Sequence, residues 1–387
     1  MSHASTPVID PVELTRDLIR RPSVTPADEG AMDVLERALT SLGFTCRRMK
    51  FENIENLYAR RGTDSPNLCF AGHTDVVPTG STEAWSSGPF EAEVTDGVLY
   101  GRGAVDMKGG IAAWVAAVSR ILSEDDVPGS LSFLITGDEE GPALHGTKKV
   151  VEALMAEGEV IDACVVGEPS SQHALGDMIK IGRRGSLNTW ITVHGKQGHV
   201  AYPDRAANPV PVLARLAARL ADHVLDDGYE AFQPSNLELT TLDVGNTATN
   251  LIPADAKGRL NIRFNPTHTG ESLMAWLNSE AGKAQAESGL RVELEHLHSG
   301  DAFLTQPGPF VSAVEDAVEA ATGRRPKAST TGGTSDARFI RAMCPVLELG
   351  LVGQTMHQID ERAPVAEIEA LTEVYRAVIR TWFERAT

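Results

Sequence analysis

The stretch "SLSFLITGDEEG", residues 130–141, joins an apolar run directly to three consecutive acids. The run has the length and composition of a strand that is buried on both faces. Ionised carboxylates repel one another and are costly beside a core unless positive charge offsets them. The stretch therefore predicts a strand of a central sheet, and it raises the question of which cation offsets Asp138, Glu139 and Glu140.

Strands and helices alternate on both sides of this stretch. Before it come the strand "NLCFAGHTDVV" and the helix "IAAWVAAVSRIL", which is apolar almost all round; after it come the helix "TKKVVEALMAEG" and the strand "DACVVGEP". The same texture resumes near residue 297 and ends in a long helix. The alternation predicts an α/β fold with a mainly parallel sheet flanked by helices.

Residues 182–296 have a different texture. Four segments alternate apolar and polar residues as half-exposed strands do. Two helical segments lie among them, so this part predicts an α+β domain of two helices on a four-stranded, mostly antiparallel sheet. We therefore expect a discontinuous first domain, 1–181 and 297–387, interrupted by an inserted domain, 182–296.

Composition excludes several classes of protein. The chain of 387 residues has a net charge of −18, which makes nucleic acid or an anionic membrane an unsuitable partner. It has no apolar run near the ~18 residues that a membrane span needs. "MSHASTPVID" lacks a basic segment followed by an apolar one, and the four cysteines are widely spaced. We expect a cytoplasmic protein with a reduced core.

Residues of metal-ligand type follow the predicted strands. In open α/β sheets, sites form outside the carboxyl ends of the strands, and this edge carries His73, Asp75, Asp106, Glu139, Glu140, Glu168 and His357. Such N and O ligands, without cysteine, suit catalytic zinc, cobalt or manganese. One zinc needs three protein ligands, and five ligands serve two cations if one carboxylate bridges them.

Glu139 and Glu140 are expected to have different roles, because successive side chains of an extended segment project to opposite sides. One can bind metal while the other acts as a general base. Each residue alone has a plainer reading: a surface histidine, a solvated acidic turn, a helix cap at Asp106, or a loop acid at Glu168. Their coincidence at one edge of the sheet favours the metal site.

Eight motifs occur in an order that resembles one known family. They are "GHTDVVP", "GRGAVDMKGG", "TGDEEG", "VVGEPS", "GRRGS", "HVAYP", "GGTSDARF" and the late "MHQ". Across nearly the whole chain they resemble the succinyl-diaminopimelate desuccinylases, a branch of the aminoacylase and carboxypeptidase-like dinuclear zinc hydrolases. One departure is Asp360 in "HQIDER", where asparagine is commoner in the family.

The resemblance implies two Zn²⁺ ions per subunit, with Co²⁺ as the other candidate. It implies a bridging role for Asp106, one site completed by His73 and Glu168, and the other by Glu140 and His357. Glu139 resembles the general acid/base of the family. Asp75 resembles the carboxylate that orients the ligand histidine, a role expected for His–metal sites in general.

The implied reaction is hydrolysis of N-succinyl-LL-2,6-diaminopimelate to succinate and LL-2,6-diaminopimelate, in lysine and cell-wall precursor biosynthesis. The implied assembly is a homodimer through the inserted domain, which also acts as a lid. His199 would reach over from the partner subunit to stabilise the oxyanion. The substrate carries three carboxylates, and the residues expected to contact it are Arg183, Arg184, Ser186, Tyr202, Asn250, Arg263, Thr331, Gly332 and Ser335.

Several alternatives stay open from the sequence. His199 can be a polar loop residue, and the arginines can pair with surface acids. The metal residues do not distinguish a desuccinylase from another N-acyl-amino-acid hydrolase, such as an acetylornithine deacetylase or a dipeptidase. A non-catalytic metal-binding or ligand-binding protein is the alternative of a different class, and the presence of Glu139 argues against it.

Overall fold

The computed structural model describes residues 6–386 and divides into two units. The first unit comprises the described part of Met1–Ile181, Thr305–Ser329 and the described part of Ser335–Thr387. The second comprises Gly182–Leu304 and Thr330–Thr334. The expected boundary at residue 296 falls inside a strand that spans Arg291–Gly300, so the second unit continues to Leu304.

The regular elements are numbered along the chain. The α-helices are α1 (Pro11–Ile19), α2 (Ala31–Ser41), α3 (Gly109–Glu124), α4 (Thr147–Ala156), α5 (Val210–Ala221), α6 (Gly270–Ser288), α7 (Pro309–Thr322), α8 (Ala337–Ile340) and α9 (Val365–Ala386). The β-strands are β1 (Thr45–Arg48), β2 (Leu57–Arg61), β3 (Asn67–His73), β4 (Val94–Thr95), β5 (Val98–Tyr100), β6 (Ser130–Thr136), β7 (Ala163–Val166), β8 (Met178–Lys180), β9 (Gly182–Arg183), β10 (Gly185–His194), β11 (Gly198–His199), β12 (Asn236–Asp243), β13 (Leu251–Ile252), β14 (Asp255–Phe264), β15 (Arg291–Gly300), β16 (Phe303–Leu304), β17 (Lys327–Ser329), β18 (Val346–Glu348) and β19 (Arg362–Pro364). Among these residues, no helix has both the length and the apolar character needed to cross a membrane.

An eight-stranded mixed sheet forms the centre of the first unit, in the order β1-β2-β6-β3-β7-β18-β8-β17. Its middle is parallel, because β3 pairs in parallel with β6 and β7, and β7 with β18. Every residue of β3, β6 and β7 is buried, as expected of parallel strands that are covered on both faces. The predicted mainly parallel α/β fold is confirmed.

Helix α3 packs at the heart of this unit. Its Trp114 is fully buried and stacks on Phe70 of β3 with ring centroids 4.9 Å apart. Tyr375 of α9 meets the same indole edge-on at 4.8 Å. The helix is buried along nearly its whole length, as its apolar sequence predicts. This packing fixes the point at which the preceding turn, Ala104–Lys108, enters the helix.

The second unit contains an antiparallel sheet in the order β12-β14-β10-β15. Burial alternates along β14, so one face of the sheet is turned towards a core. Leu187 and Leu260 from the sheet join Leu216 of α5 and Leu277 of α6 in that core. Two helices on a four-stranded antiparallel sheet are therefore present, as the sequence predicts.

The parallel strands of the first unit bring chemically distinct residues to one edge. In their register His73 lies opposite Thr136, and Ala71 lies opposite Val166. Since β3, β6 and β7 run in the same direction, the residues that follow them meet outside their carboxyl ends. The acids after Thr136 and the residues after Val166 are thereby brought close to His73.

Candidate metal centre

His73 ends β3, and the residues that follow orient its imidazole. Its Nδ1 lies 2.9 Å from the carbonyl oxygen of Asp75 and 3.7 Å from Oδ1 of the same residue. A hydrogen bond donated by Nδ1 leaves Nε2 with the lone pair. The carboxylate of Asp75 accepts hydrogen bonds from the backbone N–H groups of Glu139 (3.2 Å) and Glu140 (3.0 Å). Asp75 thus joins the end of β3 to the acidic stretch after β6.

Asp106 lies between the two histidines of the cluster. Its Oδ1 is 3.3 Å from Nε2 of His73, and its Oδ2 is 3.2 Å from Nε2 of His357. The residue is 7 % exposed and sits in the irregular turn before α3. A buried carboxylate whose two oxygens face two different imidazoles has the arrangement of a ligand that bridges two cations.

Each histidine also faces a second carboxylate. Oε1 of Glu168 lies 3.6 Å from Nε2 of His73, and Oε1 of Glu140 lies 2.8 Å from Nε2 of His357. The five side chains therefore form two groups that share Asp106. The family resemblance implies the same division of ligands, which stays a prediction because Glu139 also lies within reach of His73 and Glu168.

Glu139 lies on the His73 side of the cluster. One of its carboxylate oxygens is within 4.8 Å of the ligand atoms of His73 and Glu168. Burial raises the pKa of Glu139 well above its usual value, and the charges of Asp336 and Glu140 add to this against the lowering by His73. A raised pKa suits a group that exchanges protons near neutral pH. Its position also suits a metal ligand.

The other groups of the cluster shift one another's pKa. Burial alone would lower the pKa of His73, but Asp106 and Glu168 raise it well above its usual value. Hydrogen bonds with Asp106 and Glu140 raise the pKa of His357 to about 10. Burial raises the pKa of Glu168, and the charge of Asp106 raises it further. The metal-free cluster therefore retains protons that a bound cation would displace.

Two atoms at the centre of the cluster test whether a metal fits. Nε2 of His73 and Oδ1 of Asp106 are buried and 3.3 Å apart, and within residues 6–386 neither makes a hydrogen bond of normal geometry. Leaving a buried polar atom unpaired costs about 1–3 kcal/mol, and a cation between these atoms would satisfy both. The surrounding N and O donors suit Zn²⁺, Co²⁺ or Mn²⁺. The residues present fit a metal site.

Two residues beside the cluster were not singled out from the sequence. Arg102 and Glu361 form a buried ion pair with a 2.7 Å contact between Nη1 and Oε2. They are 259 positions apart in the chain. The sequence offered one indication of their importance: Arg102 lies in "GRGAVDMKGG" with Asp106, and Glu361 lies in "HQIDER" with His357.

The three arginines expected to contact the substrate lie in the second unit. Arg183 is largely buried, and its Nη1 donates to the carbonyl oxygen of Thr331 at 3.0 Å. Nη1 of Arg184 donates to Oδ1 of Asn236 at 2.8 Å. Burial lowers the pKa of Arg184, and the charge of Arg263 lowers it further. Arg184 and Arg263 are therefore close enough for their charges to repel each other.

The neighbouring small residues are placed differently from one another. Ser186 is buried opposite Arg263 in the β10–β14 pairing. Gly332 has φ +108°, a backbone conformation that other residues rarely adopt, and a Cβ atom there would also displace Nη1 of Arg183, so the position favours glycine. Ser335 lies in the first unit, is 1 % exposed, and donates its hydroxyl hydrogen to Glu348. The hydroxyl of Ser335 is thus engaged inside that unit.

His199, Tyr202 and Asn250 lie together in the second unit. The ring of the exposed His199 is 5.7 Å from the half-exposed ring of Tyr202. The carbonyl oxygen of Asn250 accepts a hydrogen bond from the N–H of Val200 at 3.1 Å. All three are available at the surface of this unit, as polar contact residues need to be.

Comparison with known proteins identifies the family. The model of Peptidase family M20/M25/M40 matches residues 69–381. A succinyl-diaminopimelate desuccinylase of Caulobacter vibrioides is 67 % identical over 376 residues, covering 97 % of this chain and 96 % of that protein. One of Maricaulis maris is 58 % identical over 383 residues, covering 99 % and 98 %.

A solved structure agrees with the fold. The M20 family metallo-carboxypeptidase Sso-CP2 of Sulfolobus solfataricus superimposes with a TM-score of 0.85 at 16 % identity, covering 97 % of this chain and 99 % of that one. Identity this low supports the fold alone, whereas the desuccinylase relatives match along nearly their full length. The chain therefore belongs to Peptidase family M20/M25/M40, in its group of succinyl-diaminopimelate desuccinylases.

Proposed function

We propose that the protein is a metal-dependent amide hydrolase that cleaves N-succinyl-LL-2,6-diaminopimelate to succinate and LL-2,6-diaminopimelate. One observation carries the proposal: Nε2 of His73 and Oδ1 of Asp106 are buried, make no hydrogen bond of normal geometry in the described part of the chain, and lie 3.3 Å apart among further ligand candidates. The substrate is the one named by its desuccinylase relatives. The step belongs to lysine and cell-wall precursor biosynthesis, which supports a cytoplasmic location.

Two Zn²⁺ ions, with Co²⁺ as the other candidate, suit the five side chains. Asp106 would contact both ions, His73 and Glu168 would hold one, and Glu140 and His357 would hold the other. When bound, such a pair polarises an amide carbonyl and lowers the pKa of a water towards about 7.

Glu139 carries the proton transfers. Its carboxylate accepts a proton from the attacking water and returns it to the leaving amine nitrogen, which makes it the general base and then the general acid. Asp75 positions both Glu139 and the proposed ligand His73. It holds Nδ1 of His73 through its carbonyl and fixes the backbone of Glu139 through its carboxylate.

The second unit supplies recognition of the anionic substrate and acts as lid and dimerisation domain. Guanidinium groups bind carboxylates through two parallel hydrogen bonds, which suits Arg184 and Arg263 to the substrate's three carboxylates. His199 from the partner subunit donates to the oxyanion of the tetrahedral intermediate. The remaining polar contacts of this unit come from Arg183, Ser186, Tyr202, Asn250, Thr331 and Gly332, and Ser335 of the first unit is the last residue proposed to contact the substrate.

The test compares three substrates with the purified, Zn²⁺-loaded protein. These are N-succinyl-LL-2,6-diaminopimelate, its N-acetyl counterpart and N-acetylornithine, with released primary amine as the readout. An acetyl group lacks the terminal carboxylate, and losing a hydrogen bond to a charged group costs about 1.5–3 kcal/mol. We expect kcat/KM to fall roughly 10- to 100-fold for both acetyl compounds. Preferential turnover of N-acetylornithine, or equal activity of the metal-free protein, would refute the proposal.

A further inference from the structure

The loop that carries His357 is difficult to hold in place. His357 has φ +62° and Asp360 has φ +57°, a left-handed conformation that is uncommon outside glycine, although His and Asp adopt it more often than most residues. The side chain of His357 is 46 % exposed, so surrounding packing does little to fix it. A conformation of this kind persists where other contacts over-determine it.

The buried side chain of Arg102 donates hydrogen bonds to backbone carbonyl groups of this loop. The residue is 2 % exposed, and its Nη1 donates to the carbonyl oxygen of Gln358 at 3.1 Å. Its Nη2 donates to the carbonyl oxygen of Pro78 at 3.3 Å and reaches that of His357 in a longer contact of 3.5 Å. The guanidinium also lies over the ring of Trp85, 5.2 Å from its centroid. One side chain therefore holds the His357 loop against the segment that follows β3.

Glu361 extends the same network to Asp106. Its Oε2 accepts from Nη1 of Arg102, while its Oε1 accepts from the backbone N–H groups of Val105 (3.0 Å) and Asp106 (3.2 Å). Glu361 is fully buried. The ion pair thus connects the backbone of Asp106 with the backbone around His357, two residues whose side chains lie 3.2 Å apart.

We infer that Arg102 and Glu361 are a positioning pair, which sets the distance between Asp106 and His357 for the cation that these two residues and Glu140 would hold. The inference rests on the proposed metal ligands. A buried ion pair is often no more stabilising than apolar residues of equal volume. Here Arg102 donates to the backbone around His357 and Glu361 accepts from the backbone at Asp106, although Nε of Arg102 has no partner in the described residues. An apolar replacement would remove these backbone contacts.

Co²⁺ titration of the Arg102→Lys variant tests this inference. Lysine keeps the charge but cannot contact three carbonyls and a carboxylate in the planar arrangement of arginine. Isothermal titration and the visible Co²⁺ spectrum report each equivalent, and His357→Ala identifies the equivalent on the His357 side. We expect Arg102→Lys to weaken that equivalent about 10- to 100-fold, the usual effect of losing a partner that orients a ligand. The other equivalent should stay within about threefold of wild type.

Two control variants separate positioning from general destabilisation. Arg120→Lys changes a more exposed ion pair with Glu369. Ile379→Ala opens a cavity where α9 packs on the hydrophobic core, which should lower the free energy of unfolding by about 2–5 kcal/mol. Both should bind two equivalents as wild type does. Glu361→Gln should reproduce the selective loss if Arg102→Lys does not fold. Equal weakening of both equivalents, or wild-type binding of both, would overturn the inference. This readout needs no substrate, so it is independent of the proposed reaction.

Discussion

His73 and His357 are the two imidazoles of the candidate metal centre, and the chain holds them in opposite ways. His73 ends a seven-residue strand in which every residue is buried, and it is itself 1 % exposed. His357 lies in a loop with a left-handed backbone, and its side chain is 46 % exposed. The first is placed by the sheet and the second by hydrogen bonds from Arg102.

The two histidines show that the position of a metal ligand can be fixed either by a sheet or by a few hydrogen bonds. A strand end cannot move without disturbing the hydrogen bonds and packing of the whole sheet, so His73 is as rigid as the core. A loop residue can move at the cost of a few hydrogen bonds, each of which contributes about 0.5–1.5 kcal/mol. We therefore expect substitutions around His73 to impair metal binding strongly. Around His357, we expect the ligand to shift at a smaller cost in metal affinity.

Removal of each imidazole gives the largest effect. His73→Ala should lose both cations, since Nε2 of His73 faces Asp106 and Glu168 and the shared Asp106 loses the buried one of its two imidazole partners. His357→Ala should keep one cation. Metal content after dialysis measures this, with the exposed His173→Ala as a matched control that retains both. If His357→Ala lost both cations and His73→Ala only one, the comparison would be reversed.

Substitution of Glu139 sharpens the description of the His73 side. Glu139→Gln keeps the size and polarity of the side chain but cannot take a proton, so kcat should fall about 10²–10⁴-fold. The cation content should remain that of wild type, because the five ligands are intact. Single-turnover rates and metal analysis together check this. Loss of one cation in Glu139→Gln would mean that Glu139 is a ligand, as its position also allows.

The pH dependence of stability separates the metal-free from the metal-loaded protein. In the metal-free protein the pKa of His357 is raised to about 10 from 6.5, so its stabilising contribution is complete below pH 6.5 and lost as the pH rises towards 10. The raised pKa values of His73 and Glu168 act in the same direction. The lowered pKa of Asp106 contributes stability that is already complete above its usual value of 3.8.

We therefore expect the melting temperature of the metal-free protein to decrease between about pH 6.5 and about pH 9. Metal ligands must be deprotonated to bind, so the gap to the metal-loaded protein should widen over the same range. Thermal unfolding in matched buffers, with and without a chelator, measures the gap. A gap that narrows with rising pH would contradict the assignment of these groups as ligands.

Asp360→Asn should have the smallest effect. Oδ1 and Oδ2 of Asp360 accept from the N–H and the hydroxyl of Ser86 at 2.7 and 2.6 Å. Asparagine retains one acceptor and tolerates a left-handed backbone. The free energy of unfolding should change by less than about 1 kcal/mol. Denaturant unfolding checks this, with Asp360→Ala as the variant that loses both acceptors. A larger change for asparagine than for alanine would show that Ser86 does not anchor the loop.

Much of the site was predictable because its residues come directly after predicted strands in the sequence. His73, the acids of "TGDEEG" and Glu168 come directly after apolar runs, and parallel strands place such residues at one edge. The mainly parallel fold and the inserted α+β unit followed from the same periodicity. The roles of the individual ligands are implied by the family and stay predictions until the metals are located.

Contacts between residues far apart in the chain could not be predicted from local sequence patterns. Arg102 and Glu361 are 259 positions apart, and nothing in either stretch indicates that the two side chains meet. The alternating segment "RVELEHLH" predicts that the second unit ends at residue 296, whereas β15 continues to Gly300 and β16 pairs with β9. Tertiary pairing, which no local pattern encodes, decided both.

Anomalous diffraction at the zinc absorption edge, from crystals of the Zn²⁺-loaded protein, would locate the cations among their proposed ligands. We expect two anomalous peaks per chain, about 3.5–4 Å apart. One peak should contact His73 and Glu168, the other Glu140 and His357, with Asp106 between them. A single peak, or peaks that do not contact Asp106, would contradict the proposed metal centre.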